Sequence, residues 1–266
     1  MNTGVTAAKL REICIRLSYE KESAHLASAL SSADIVSVLF QEYLDYEVDS
    51  KSFANDNRFI LSKGHAASCL YAALFLKKII SQEQLNSYTE KHSIFEEHPN
   101  PKIPTVDFPT GALGHGLPLA CGLALGNRLR CSKGFIYVLM SDGECNEGTV
   151  WEAAQFAHSK ALSNIVAIVD HNKFQATGPT AETLGNISLA KLFEAFGWEV
   201  TEIDGHRFEE IRMAIDKAHV STRPTAIIAH TIKGKGISFM EGDNNWHYKS
   251  PSSTEVSRAT QELMTK

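Results

Sequence analysis

Apolar side chains at Leu10, Ile13, Cys14 and Leu17 recur three or four residues apart, which puts residues 5–18 on a helix with one buried face. DIVSVLFQEYL (34–44) repeats that spacing behind Asp34 and predicts a second helix. The short apolar run RFILS (58–62) reads as a strand, and the Ala- and Leu-rich stretch after it predicts a helix over about 66–80. Residues 90–112 lose all periodicity, carry four prolines and two histidines, and read as a long functional loop. The pattern then alternates. Helices are predicted at about 113–130, 149–161, 187–196 and 207–220, and strands at 134–142, 164–172, 198–204 and 224–232. FIYVLM and IVAIV are apolar at every position, as strands covered on both faces must be. The expected fold is α/β, a doubly wound and mostly parallel sheet with helices on both faces. A single domain over residues 1–266, with a polar tail from about 250, is the simplest organisation.

Composition narrows the function classes. With 266 residues, 43% hydrophobic and 21% charged, the chain is long and apolar enough for a full core. A net charge of −5 without basic runs argues against nucleic-acid binding. No stretch of about 18 apolar residues predicts a membrane span, and the charged N-terminal segment is unlike a signal peptide. Five scattered cysteines without a CxxC pair read as reduced cytoplasmic thiols.

The chemistry concentrates in SDGECNEGTVWEAAQFAHSKALSNIVAIVDHNKF. Asp142 and Asn172 each follow a predicted strand and lie one βαβ unit apart, so both belong at the carboxyl ends of neighbouring parallel strands, where such sheets bind ligands. Alone, each would read as a cap or turn residue. Together with a turn carbonyl near Phe174 they make an all-oxygen set suited to magnesium, and the helix after Gly143 and Gly148 offers backbone amides to a diphosphate. No GxxxxGK[ST] loop and no correctly placed GxGxxG occurs, which disfavours P-loop and nicotinamide-nucleotide enzymes.

SDGECNEG followed by DHNK resembles the thiamine diphosphate motif of transketolases and related enzymes. SAHLASALSSAD (23–34), RFILSKGHAASCLYAAL (58–74), EEHPN with TGALGHGLPLACGLALG (96–126) and HTIKGKGISFMEGDNNWHYKSP (230–251) resemble transketolase blocks in order and spacing, over about residues 5–260. The resemblance implies that Asp142, Asn172 and the Phe174 carbonyl hold magnesium, calcium or manganese. It implies cofactor contacts for His65, Gly111, Leu113, Gly143 and Glu144, and active-site roles for His25, His65, His98 and His247. Glu147 matches the glutamate that links two active sites across a dimer interface, and His115 stands where relatives carry Gln, at a place for a cofactor contact or for supporting a residue that makes one. No role is assigned to His92, His158, His171, His206 or His219. Ser141 departs from the usual Gly of the metal motif, and Ala24 from a Gly before the first histidine.

In the family a pyrimidine-binding domain completes the site and engages the aminopyrimidine ring, and no segment here corresponds to it. The resemblance therefore implies the N-terminal subunit of a two-subunit transketolase, with an α2β2 assembly that acts on sugars or sugar phosphates. Its rivals are a specialised transketolase-like enzyme, a 2-oxo acid dehydrogenase E1 α-type subunit, or a catalytically silent thiamine diphosphate-binding module.

Overall fold

The computed structural model describes residues 3–47, 52–53, 56–185 and 187–264. Helices α1 (Thr3–Lys21) and α2 (Leu26–Val38) lead into a small antiparallel ribbon, β1 (Tyr46–Glu47) and β2 (Ser52–Phe53). Strand β3 (Arg58–Leu61), α3 (Ala67–Leu76) and the short α4 (Gln82–Asn86) follow, and the long loop then runs to α5 (Gly116–Leu129). The alternating part comprises β4 (Ile136–Ser141), α6 (Gly148–Ser159), β5 (Ile165–His171), a single turn α7 (Thr180–Thr183), α8 (Leu189–Ala195), β6 (Glu199–Asp204), α9 (Phe208–His219) and β7 (Thr225–His230). Helix α10 (Ser253–Met264) ends the described chain.

Strands β3 to β7 form one parallel sheet in the order β3-β4-β5-β7-β6. The central strands are buried on both faces, which is why their sequences carry no polar alternation. Val138, Met140 and Ala167 pack under α5, α6 and α8, while Tyr137, Leu139, Val166 and Ile168 face α1, α2, α3 and α9. The chain steps one way across β3, β4 and β5, then crosses to the edge strand β6 and turns back to β7. Right-handed crossovers require that reversal to change faces, and α9 accordingly lies opposite α5 and α6. The doubly wound expectation holds.

Two expectations change. The helix expected behind Asp34 starts at Leu26, and residues 39–43 form a wider π turn. Every residue of α2 is buried, including four serines and Asp34, so its sequence has no polar face for periodicity to find. Its polar groups are matched instead by Ser37 donating to the Thr3 carbonyl (2.7 Å), Ser32 to the Ser28 carbonyl (3.0 Å), and Asp34 accepting from both Arg11 Nη atoms (3.0 and 2.5 Å). The second change is at the polar tail: α10 lies there, with Ala259 buried and Val256 and Leu263 packed on the core that includes α1. Residues 90–112 are loop throughout, pinned to α3 by the Tyr71 hydroxyl donating to the carbonyls of Glu96 (2.9 Å) and His98 (3.1 Å).

Candidate active site

The carboxyl ends of β3, β4 and β5 open onto one cleft of about 470 Å³. Asp142 follows β4 and Asn172 follows its parallel neighbour β5, as the spacing predicts. Asp142 is buried; its Oδ1 accepts from the Gly143 N–H (2.8 Å), and its Oδ2 accepts from the Lys173 N–H (2.6 Å) and the Thr180 hydroxyl (3.3 Å). Those bonds fold the loop after β5 over the loop after β4. Burial, with Asp170 adding repulsion, pushes the Asp142 carboxyl up to about 6, the mark of a desolvated anion short of positive charge. Asn172 turns its amide nitrogen toward Asp170 (3.4 Å) and accepts the Phe174 N–H at Oδ1 (3.1 Å). A Cβ on Gly143 would stand 2.7 Å from Gln175 Cγ, so a larger residue here has to displace the Gln175 side chain.

Four histidines from distant parts of the chain converge on the opposite wall. His25 caps α2 in the left-handed conformation (φ 65°), a strained state that its backbone N–H, bonded to the His247 carbonyl (2.8 Å), helps to hold. Its ring centroid lies 5.4 Å from that of His65, 6.4 Å from His98 and 5.1 Å from His247. Burial lowers all three of His25, His65 and His247, with Lys63 adding to the effect at His65, and Lys233 at His247, which falls to about 3. These rings are therefore neutral near pH 7. Gly111, at φ 146°, passes so close to His98 that a Cβ would meet its Cδ2 at 2.7 Å. Leu113 and the exposed Glu147 complete the rim.

Glu144, expected at the cofactor, turns its side chain behind the cleft. Its buried carboxylate is bonded to the Ser62 hydroxyl and to the backbone N–H groups of Gly114 (2.8 Å) and Ser141 (3.2 Å), tying three loops together behind the cleft. His115 likewise faces away; it lines a separate groove between α5 and α6, its Nδ1 3.0 Å from the Leu113 carbonyl.

Pattern reading missed the charges beneath the site. Lys63 and Asp170 form a fully buried ion pair, and Asp170 also accepts from Ser31 (2.6 Å) and Thr231. Burial alone would raise the Asp170 carboxyl, yet Lys63 and the hydroxyls hold it below the usual range. Lys233 is buried beside His247. Both lysines stand inside the SKGH and KGKG blocks, and their burial was the missing signal. His25 Nδ1 and Gln175 Nε2 are buried at the cleft without a hydrogen-bond partner. Orphaned donors, a desolvated carboxylate with hard oxygen neighbours, and glycines where loops close in fit an anionic cofactor bound together with a divalent cation.

Fold and cleft thus define a cofactor-binding α/β domain of the doubly wound class. A family model described as transketolase, thiamine diphosphate binding domain, matches residues 5–265. The chain is 42% identical to human transketolase-like protein 2, covering 92% of this chain but 39% of that protein. It is 39% identical to a subunit of the apulose-4-phosphate transketolase of Actinobacillus succinogenes, covering 95% of this chain and 92% of that relative, and 34% identical to its counterpart in Phocaeicola vulgatus. Campylobacter jejuni transketolase superposes with a TM-score of 0.92 at 31% identity, over 99% of this chain and 43% of the enzyme. The chain belongs to the transketolase family and carries its thiamine diphosphate-binding domain. It spans about two-fifths of the full-length relatives and about nine-tenths of the apulose-4-phosphate transketolase subunits.

Proposed function

We propose that this chain is the thiamine diphosphate-binding, N-terminal part of a two-part transketolase that moves a two-carbon ketol unit from a ketose, or its phosphate, to an aldose or its phosphate. The observation that carries the reading is the convergence of four histidines and the Asp142–Asn172 pair on one cleft. When bound, thiamine diphosphate supplies the electron sink that lets a carbon–carbon bond beside a carbonyl break. Asp142, Asn172 and the Phe174 carbonyl hold magnesium, and Gly143 leaves room at the diphosphate. Leu113 and Gly111 border the middle of the cofactor. Neutral imidazoles at His25, His65 and His247 donate to, or accept from, substrate hydroxyls without bringing charge into the cleft. Glu147, exposed on the rim, faces the partner.

A pyrimidine-binding domain from outside these 266 residues completes the site; the coverage of the apulose-4-phosphate transketolase subunits supports a separate chain, and the α2β2 assembly is part of the same proposal. The name of those relatives also favours a specialised reading, with apulose 4-phosphate as the substrate. Among the described residues no helix is long and apolar enough to cross a membrane. Five free thiols support a cytoplasmic location.

Calorimetry tests the reading: thiamine diphosphate binds the wild-type chain only with magnesium, and Asp142→Ala abolishes that binding. Ketol transfer then depends on adding a pyrimidine-domain chain. Magnesium-independent binding, or an inert mixture with every such partner, refutes the enzyme reading and leaves a silent binding module.

A further inference from the structure

Lys233 follows β7, and its side chain is buried between two loops. Its ammonium has three protons and three acceptors within reach: Asn244 Oδ1 at 2.6 Å, His247 Nδ1 at 3.0 Å and the Gln175 carbonyl at 3.5 Å. An ammonium only donates, so the imidazole nitrogen facing it must offer a lone pair. A neutral imidazole with Nδ1 stripped carries its proton on Nε2.

We propose that Lys233 is a positioning residue that fixes His247 as the neutral, Nε2-protonated imidazole, so that His247 enters the cleft as a standing hydrogen-bond donor and not as a base.

The neighbours of His247 hold the ring in place. Its carbonyl accepts the His25 N–H (2.8 Å), and the indole of Trp246 donates to the Phe239 carbonyl (3.0 Å). The rings of Tyr248, His25 and His65 surround it at 4.6, 5.1 and 6.1 Å. The titratable groups acting on it are Lys233, His25 and Lys63, all of which oppose a second proton, in the same direction as burial. With Nδ1 engaged on Lys233, the Nε2–H is the polar edge left for the cleft that His247 lines. The histidines then divide their work. His247 donates to a ligand oxygen, whereas His25, with its Nδ1 unpartnered, keeps both tautomers available for moving a proton.

The tautomer is a property of the chain alone; only its use on a ketol or carbonyl oxygen rests on the transketolase reading. The test is long-range proton–nitrogen correlation on the chain labelled with nitrogen-15 histidine, with the His247 signals assigned by their loss in His247→Gln. The wild type shows an unprotonated Nδ1 and a protonated Nε2, unchanged between about pH 5.5 and 7, below the value of about 8 to which burial lowers Lys233. In Lys233→Met the two tautomers average, while burial still holds the ring below the ordinary histidine value of about 6.5. Lys233→Arg, which keeps a donor, restores the fixed signature. In the assembled enzyme Lys233→Met lowers kcat about tenfold, the worth of one hydrogen bond, and Lys233→Arg recovers part of it. A wild-type His247 protonated on Nδ1, averaged or charged overturns the proposal, as does a folded Lys233→Met whose His247 signals match the wild type. Should Lys233→Met fail to fold, the wild-type and Lys233→Arg spectra decide. Failure to bind thiamine diphosphate in calorimetry defeats the transketolase reading and leaves the tautomer standing.

Discussion

At the scale of single residues, the cleft is shaped by what is missing as much as by what is present. Gly111 has no Cβ because His98 occupies that space, and its φ of 146° is open to glycine at little cost. Gly111→Ala therefore pushes on the His98 ring and on the loop that carries it. The expected result is a folded chain destabilised by about 1–3 kcal/mol, with thiamine diphosphate affinity at least tenfold weaker. Thermal melting and calorimetry check the two parts, and unchanged affinity would contradict the placement of this loop against the cofactor. Asp142, Asn172, Gly111 and the four histidines were legible in the sequence because each sits in a short block with a chemical signature. Glu144 lies in the same block, yet the direction of its carboxylate, behind the cleft, was not legible there, because neighbourhood in sequence does not set side-chain direction.

Among the secondary-structure elements, legibility followed periodicity. Strands β4 and β5 are runs of apolar residues, and hydrophobic stripes marked α5 and α6 within a few residues of their observed ends. Helix α2 has no exposed face, so its polar positions mark internal bonds and not solvent, and its start was missed. Helix α10 is the reverse case, a mostly polar helix held by a narrow stripe. Ala259→Asp places a carboxylate in that stripe and is expected to cost about 1–3 kcal/mol in urea unfolding. Because α10 does not line the cleft, cofactor affinity in the folded variant stays at the wild-type value; a matching loss of affinity would tie α10 to the site.

For the whole molecule, pH couples the site to stability. His25, His65, His171, His219 and His247 are all lowered by burial, so the unfolded chain takes up protons that the fold refuses as pH falls through about 6.5. Their stabilising contribution is present above that value and is lost below it, with His65 alone worth up to about 1.4 kcal/mol per pH unit. Asp142, raised to about 6, works in the other direction, because the folded state takes up its proton first, as do the raised Glu144 and Asp107. Five histidines outnumber them between about pH 7 and 6, so the urea midpoint should drop from pH 7.5 to pH 6; a flat or rising midpoint would show that the cleft is more open to water than the geometry implies. The sequence by itself determined the parallel sheet, the edge on which ligands bind and the family, since apolar runs, turn glycines and short motifs are local properties of the chain. Only the tertiary structure decided which charges lie beneath that edge: Lys63 meets Asp170 across 107 residues, and Lys233 meets His247 in a pocket built by several loops. A buried charge is stable only against a partner, and that partner is chosen by packing in three dimensions, which no spacing along the chain encodes.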